Sequence, residues 1–225
     1  MCSIDTSMAT QAKQTRYLDR GMLTVGYGVK AICVCPNCGS AAQVRAHTKT
    51  AIPFRPKEPR VTCSKCSFAL SSNQWKWFGP VVGTAKQPCG NCGFKWLKCE
   101  VHRKIDGKKL PSTSSATCET CGETTALTLR WTCVRFGLPH DPVFGLPLWL
   151  QISCLGETLW VYNEEHLCRL RAYVAATLRE RTISSRGGSI ARLPAWMSAA
   201  KNRGAVLVAF ERLQAKLVSS PLFRD

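Results

Sequence analysis

The stretches Cys35-Pro36-Asn37-Cys38-Gly39 and Cys63-Ser64-Lys65-Cys66-Ser67 return as Cys89-Gly90-Asn91-Cys92-Gly93 and Cys118-Glu119-Thr120-Cys121-Gly122. The gap between pairs is 24 residues in the first set and 25 in the second, and the second set is the first shifted by 54 to 55 positions. A fixed shift of this kind reads as a tandem repeat. Two residues between cysteines let both sulfurs grip one ion from a single tight turn. Four thiolates then close a tetrahedron around zinc at about 2.3 Å, which leaves no open position for a substrate or water. The pattern therefore predicts two Zn²⁺ ions, held by Cys35, Cys38, Cys63 and Cys66 and by Cys89, Cys92, Cys118 and Cys121. Gly39, Gly93 and Gly122 follow the second cysteine of their pairs and allow the positive φ such a turn needs. Ser67 departs from that pattern.

Disulfides are the competing use of these cysteines. Met1–Gly28 shows no apolar core run and no cleavage site of a secretory signal, and C-x-x-C spacing in a reducing compartment favours metal. The expected location is cytoplasmic. Interleaved pairing, first pair with third and second with fourth, would give one cross-braced unit. The near-equal gaps favour sequential pairing. Six cysteines remain: Cys2, Cys33, Cys99, Cys133, Cys154 and Cys168. Free cysteine is ordinarily a small buried hydrophobe. A third site from Cys154, His166 and Cys168 would lack a close pair and a fourth ligand. His47, His102 and His140 read as lone surface or packing residues.

The knuckles Cys35–Gly39 and Cys89–Gly93 resemble those of the zinc-ribbon family, which includes ribbons of general transcription factors and RNA polymerase subunits. The resemblance covers residues 30–136. It implies small β-rich ribbons and metal binding, and little about a particular task. Pro147-Leu148-Trp149-Leu150-Gln151, Leu159-Trp160-Val161-Tyr162-Asn163 and the stretch 193–203 look like the C-terminal part of a group of bacterial zinc-ribbon proteins. The expected fold is thus tandem zinc ribbons followed by an α+β C-terminal region of hairpin plus helices. Expected boundaries are an N-terminal segment 1–29, ribbon 30–82, ribbon 83–136, and C-terminal domain 137–225.

Between the cysteines, Met22–Val29, Gln43–Thr50, Phe68–Phe78, Phe94–Val101 and Thr124–Arg135 read as strands. The proline-bearing Ala51–Arg60 reads as a loop, Gly79-Pro80 as a turn, and His102–Thr117 as a mobile loop. Phe136–Pro147 reads as a boundary. Leu148–Ser153 and Thr158–Tyr162 read as a hairpin, and Asn163 caps a helix running to about Arg181. Thr182–Ile190 reads as a linker. Pro194 opens a short helix through Ala200. In the last helix Val206, Phe210, Leu213 and Leu217 form an apolar stripe, a core or helix-pairing seam.

The net charge is +17. Residues 30–136 carry 17 Lys/Arg against 5 Asp/Glu, whereas 137–225 carry 11 against 7. Eight thiolates on two Zn²⁺ lower the total to about +13. The remaining field suits a polyanion, although a basic surface also serves solubility. Aromatic and basic residues interleave at Trp75-Lys76-Trp77 and at Lys95-Trp96-Leu97-Lys98. In strands, Trp75 and Trp77 would share a face, as would Phe94, Trp96 and Lys98. Exposed aromatics stack on unpaired bases, and Arg103, Lys104, Lys108 and Lys109 would add phosphate contacts. The competing use of each tryptophan is the small ribbon core. Arg169, Arg171, Arg179 and Arg181, followed by Arg186, Arg192, Lys201 and Arg203, could track a backbone or simply be a solvated face.

Catalytic patterns are scarce: no HExxH, no Walker loop, no Gly-x-Ser-x-Gly elbow and no carboxylate cluster for metal-assisted cleavage. The ribbon loops hold Glu58 alone or Asp106 alone. No apolar run approaches a membrane span. The expectation is a nonenzymatic protein whose partner is nucleic acid, single strands slightly favoured. The alternatives are a protein–protein scaffold, with docking or self-association through the C-terminal helices, and a small redox or metal-handling protein using the extra cysteines.

Overall fold

A computed structural model describes residues 16–19, 23–48, 54–105, 109–181, 190 and 193–220. Cys2, Asp106, Lys108, Arg186, Arg192 and all but the last residue of the expected linker 182–190 lie outside the described residues.

The first cysteine set sits on β2 (Ile32–Val34), β3 (Ala41–His47), β4 (Lys57–Cys63) and β5 (Ala69–Leu70), an antiparallel sheet in that order. Three sequence expectations change here. Thr24–Gly28 is a short helix, α1, rather than the entry strand. Lys57–Arg60 is strand, although Pro59 lies within it. The proline is accommodated by a bulge: the register slips between Arg45 and His47, and Glu58 adopts φ 48°. A bulge residue forgoes ladder pairing, so the missing N–H costs nothing there. Finally, Phe68–Phe78 does not run as one strand. Only Ala69–Leu70 pairs, Ser72–Gln74 makes a 3₁₀ turn, and Trp75 and Trp77 lie beyond it in irregular chain.

The second set is built on β6 (Pro80–Gln87), β7 (Leu97–Lys104), β8 (Thr113–Thr117), β9 (Thr124–Thr128) and β10 (Arg130–Cys133). β6 lies between β10 and β7, and β8 pairs with β9. β6 was not expected at all; Gly79-Pro80 is its entry rather than a turn closing the first unit. β7 begins at Leu97, three residues later than expected, and extends through His102, Arg103 and Lys104. β8 occupies part of the span expected as a mobile loop. The last expected strand is broken at Leu129 into β9 and β10.

In the C-terminal part, β11 (Gln151–Cys154) and β12 (Glu157–Trp160) form the expected hairpin. Leu155 and Gly156 turn it at φ 55° and 79°, the double positive φ of a two-residue hairpin turn. α2 (Glu164–Ala175) starts where predicted: Asn163 Oδ1 accepts the His166 backbone N–H at 2.9 Å. The helix stops at Ala175, six residues short of expectation. Leu178–Arg181 is instead β13, paired in parallel with β1 (Arg16–Asp19). α3 (Ala195–Ser198), a 3₁₀ turn and α4 (Arg203–Val218) complete the chain. Val206, Phe210, Leu213 and Leu217 are all buried against Leu167, Leu170 and Val174 of α2 and the hairpin residues Leu150 and Leu159. No helix among the described residues is long and apolar enough to cross a membrane.

The two cysteine modules are embedded very differently. β2 zips onto the segment after the second module: Val34 N–H donates to Pro147 O at 2.8 Å and Trp149 N–H to Ile32 O at 2.9 Å. One buried cluster then joins Tyr27, Ala31, Cys33, Val44 and Val61 to Val143, Phe144, Leu146, Leu148 and Tyr162. The segment expected as a boundary is thus largely interior. Asp141 organises it, with Oδ1 accepting from Val143 and Phe144 N–H and Oδ2 from Leu146 N–H at 2.7–2.8 Å. Gly145, at φ 77°, lies so close to the Gly79 backbone that a Cβ would run into it. Among the described residues, the second module's own buried cluster is Cys89, Leu97, Cys118 and Leu127. Two buried leucines supply about 1.5–3 kcal/mol each, whereas a four-cysteine zinc site supplies about 10–16 kcal/mol. Metal therefore dominates the folding of this module.

Candidate metal centres and the surface beside them

The cysteines assemble sequentially. Cys35, Cys38, Cys63 and Cys66 form one group and Cys89, Cys92, Cys118 and Cys121 the other, with ligand atoms within 4.8 Å of one another. Cys35 and Cys66 sulfurs lie 3.7 Å apart, Cys38 and Cys63 3.6 Å, Cys89 and Cys121 3.7 Å, and Cys92 and Cys118 3.6 Å. Four sulfurs at 2.3 Å from a tetrahedral ion would be about 3.8 Å apart, so each set fits one zinc ion.

The knuckles explain the fit. Gly39 N–H donates to Cys35 O at 2.9 Å, Gly93 to Cys89 O at 3.0 Å, and Gly122 to Cys118 O at 2.9 Å. Each glycine has φ between 70° and 74°. The opposite strand of each turn closes back on its first cysteine, through Cys35 N–H to Ser40 O, Cys89 N–H to Phe94 O and Cys118 N–H to Glu123 O. The Ser67 pair keeps this last contact, Cys63 N–H to Phe68 O at 3.0 Å, and turns the Lys65 N–H toward the Cys63 sulfur at 3.4 Å. Such N–H groups stabilise a thiolate: the Ser40 backbone N–H pulls Cys38 down, whereas burial pushes its neighbour Cys35 up.

The third set does not form. Cys154 is buried and its thiol faces Ala205 O, Cys168 is exposed, and His166 is stacked on Tyr27 at 4.6 Å. The Tyr162 N–H donates to His166 Nδ1, and burial pushes the imidazole down to about 3. His140 is likewise a packing residue, its ring nitrogen 2.6 Å from Val134 O. Cys33 is fully buried, and burial beside Asp141 raises its thiol far above the ordinary range.

Outside the sulfurs, the structure separates the two tryptophan motifs. Trp77 is 4% exposed and donates to Pro80 O; Trp75 is 40% exposed but donates to Val143 O. Both rings flank the Arg135 guanidinium, at 5.8 Å for Trp75 and 5.1 Å for Trp77. Lys76 projects from between them over the Phe78 ring. In the second module Trp96 is 48% exposed. It precedes β7 rather than lying within it. Lys86 on β6 stands directly opposite Lys98 on β7, and Lys86 Nζ lies 4.0 Å from the Trp96 ring centroid. Arg130, opposite Thr84, extends the same face. Lys95, Lys98, Arg103, Lys104 and Lys109 are exposed. By strand alternation Lys98 and Lys104 share the Lys86 face, whereas Arg103 points to the other. Lys108 lies outside the described residues.

Lys86 and Arg130 were missed because β6 was missed. The run Val81-Val82-Gly83-Thr84 after Gly79-Pro80 carries the β-branched signal that could have revealed it. The C-terminal arginines make contacts within the chain: Arg169 bonds Tyr17 Oη and lies 3.9 Å from Asp19, Arg171 lies 3.9 Å from Glu211 at the surface, and Arg179 of β13 donates to Ser198 O and Val174 O. No protein-family model matches the chain, and no curated protein or solved structure is measurably similar to it.

Proposed function

We propose that this chain is a nonenzymatic zinc-ribbon protein that binds nucleic acid through the exposed face of its second module, single strands slightly favoured. The observation carrying this reading is Trp96, half exposed at the end of a strand face bearing Lys86, Lys98 and Arg130. An exposed indole offers a base a stacking surface, and the adjacent cations offer phosphate contacts. The knuckle turns and the closed four-thiolate sets support the ribbon assignment and a structural role for the metal, since neither set leaves a position for a reacting ligand. Of the boundaries 1–29, 30–82, 83–136 and 137–225, the one between the modules shifts to Gly79, because β6 starts at Pro80, and the last part is wrapped onto the first module. The apolar stripe of α4 is consumed in the chain's own core, which weakens helix-mediated self-association as a competing use.

The test is Lys95→Ala with Lys98→Ala in the zinc-loaded chain. Each single-strand phosphate contact contributes about 0.7 to the slope of log K against log salt. The pair should weaken oligonucleotide binding and flatten that slope by about 1.4. Unchanged affinity and slope would remove this face from the proposal. A dominant protein partner, recovered from pull-downs despite nuclease, would favour the scaffold reading instead.

A further inference from the structure

We infer that the first cysteine module carries a second phosphate-backbone site, a cross-strand row of Lys30, Arg45 and Arg60 that grips the same nucleic acid as the second module. The inference rests on the nucleic-acid reading above and extends it to a surface that the aromatic–basic motifs do not include.

The row follows from register. Arg45 on β3 pairs directly with Arg60 on β4. On the other side of β3, Val44 N–H donates to Ala31 O and Ala46 N–H to Val29 O. These bonds continue the Ile32–Gln43 register and set Lys30 beside Arg45. Three cations therefore lie side by side, on β4, on β3 and in the turn leading into β2, at intervals of about 4.8 Å. All three residues are exposed. They line one shallow cleft of about 570 Å³ with Gln43, His47 and Glu58. Gln43 Oε1 accepts from Arg45 Nε at 3.0 Å and steadies that guanidinium.

Like charges directly opposite on adjacent strands destabilise a sheet. A sheet built for stability alone would place a carboxylate across from Arg45. Glu58 shares the cleft, but among the described residues no ion pair within 4.0 Å joins it to Lys30, Arg45 or Arg60. The bulge at Glu58 and Pro59 leaves Arg60 as the strand residue facing Arg45. Among the described residues no carboxylate pairs with this row, so we assign its counter-charge to a bound anion. A polyanion with regularly spaced charges suits a row of cations better than an isolated anion does, and guanidinium groups match phosphate oxygens in pairs. The occupant is therefore the nucleic-acid backbone.

The experiment is fluorescence anisotropy of a labelled single-stranded oligonucleotide with the full zinc-loaded chain across a salt series. Three proteins are compared with the parent: Arg45→Gln with Arg60→Gln, Arg45→Lys with Arg60→Lys, and Lys86→Gln with Lys98→Gln. The glutamine pair should bind about tenfold more weakly and flatten the salt slope by about 1.4. It should also keep two zinc ions and melt no lower than the parent, because a repulsion has been removed. The lysine pair should retain most of the slope. If the glutamine pair binds with the parent's affinity and slope while the second-module pair is weakened, the second site is wrong and the proposed function stands. If the parent itself does not bind, both fall.

Discussion

The ammonium of Lys86 sits 4.0 Å from the ring centroid of Trp96, so one face of that indole is already covered by a cation. Lys86 lies on β6 and Trp96 immediately before β7, and they meet because β6 and β7 pair over their full length. A base can then stack only on the opposite indole face, with the ammonium placed to meet its phosphate. Trp96→Ala should weaken single-strand binding by about 1–3 kcal/mol. Because Trp96 is exposed, the melting temperature should hardly move. Anisotropy titration together with a thermal melt separates the two effects.

Trp77 should behave in the opposite way. It is buried, bonded to Pro80 O and packed edge-on against His140 at 5.8 Å. Trp77→Ala opens a large cavity and should cost about 3–5 kcal/mol of stability. Denaturant unfolding should show that loss, while the fraction that remains folded binds oligonucleotide with the parent's affinity.

The metal sites should fail independently. Cys118→Ser removes one thiolate from the second set, whose buried cluster among the described residues is Leu97 and Leu127 with Cys89 and Cys118. The variant should carry one zinc ion instead of two. Amide protection should collapse across β8 and β9 and persist in β2, β3 and β4, which share a core with the C-terminal part. Hydrogen exchange with zinc counting checks this, and loss of both ions would contradict it.

Acid should destabilise the fold through His166. Its folded value is depressed to about 3, chiefly by burial and then by nearby Arg169, against about 6.5 in the unfolded chain. The unfolded state therefore gains a proton first as pH falls. The contribution is intact above about 6.5 and is lost as pH falls from there toward 3. Between pH 7 and pH 5 the parent should lose about 2 kcal/mol more than His166→Phe. Comparing the two proteins cancels the zinc ligands' own acid sensitivity. Parallel curves would refute the assignment.

The metal sets were legible in the sequence because C-x-x-C geometry is local and its glycines report their own φ. Asn163 and the α4 stripe were legible for the same reason. What escaped depends on distant partners. Leu178–Arg181 continues a helical pattern, yet it becomes strand because Arg16–Asp19 lies alongside it from the other end of the chain. Pro59 argues for a loop until the bulge opposite Ala46 relieves it. Trp75 and Trp77 alternate like a strand face, but Val143 and Pro80 capture their indole N–H groups and hold that segment irregular. The Arg45–Arg60 pairing required a register that no local pattern supplies.

The most direct test of nucleic-acid binding is the tryptophan emission of the zinc-loaded chain titrated with a single-stranded oligonucleotide at low and at high salt. Quenching at low salt should weaken steeply as salt rises and largely disappear in Trp96→Phe. Absence of quenching at low salt, with no gel shift under the same conditions, would contradict nucleic-acid binding and leave the positive charge as surface alone.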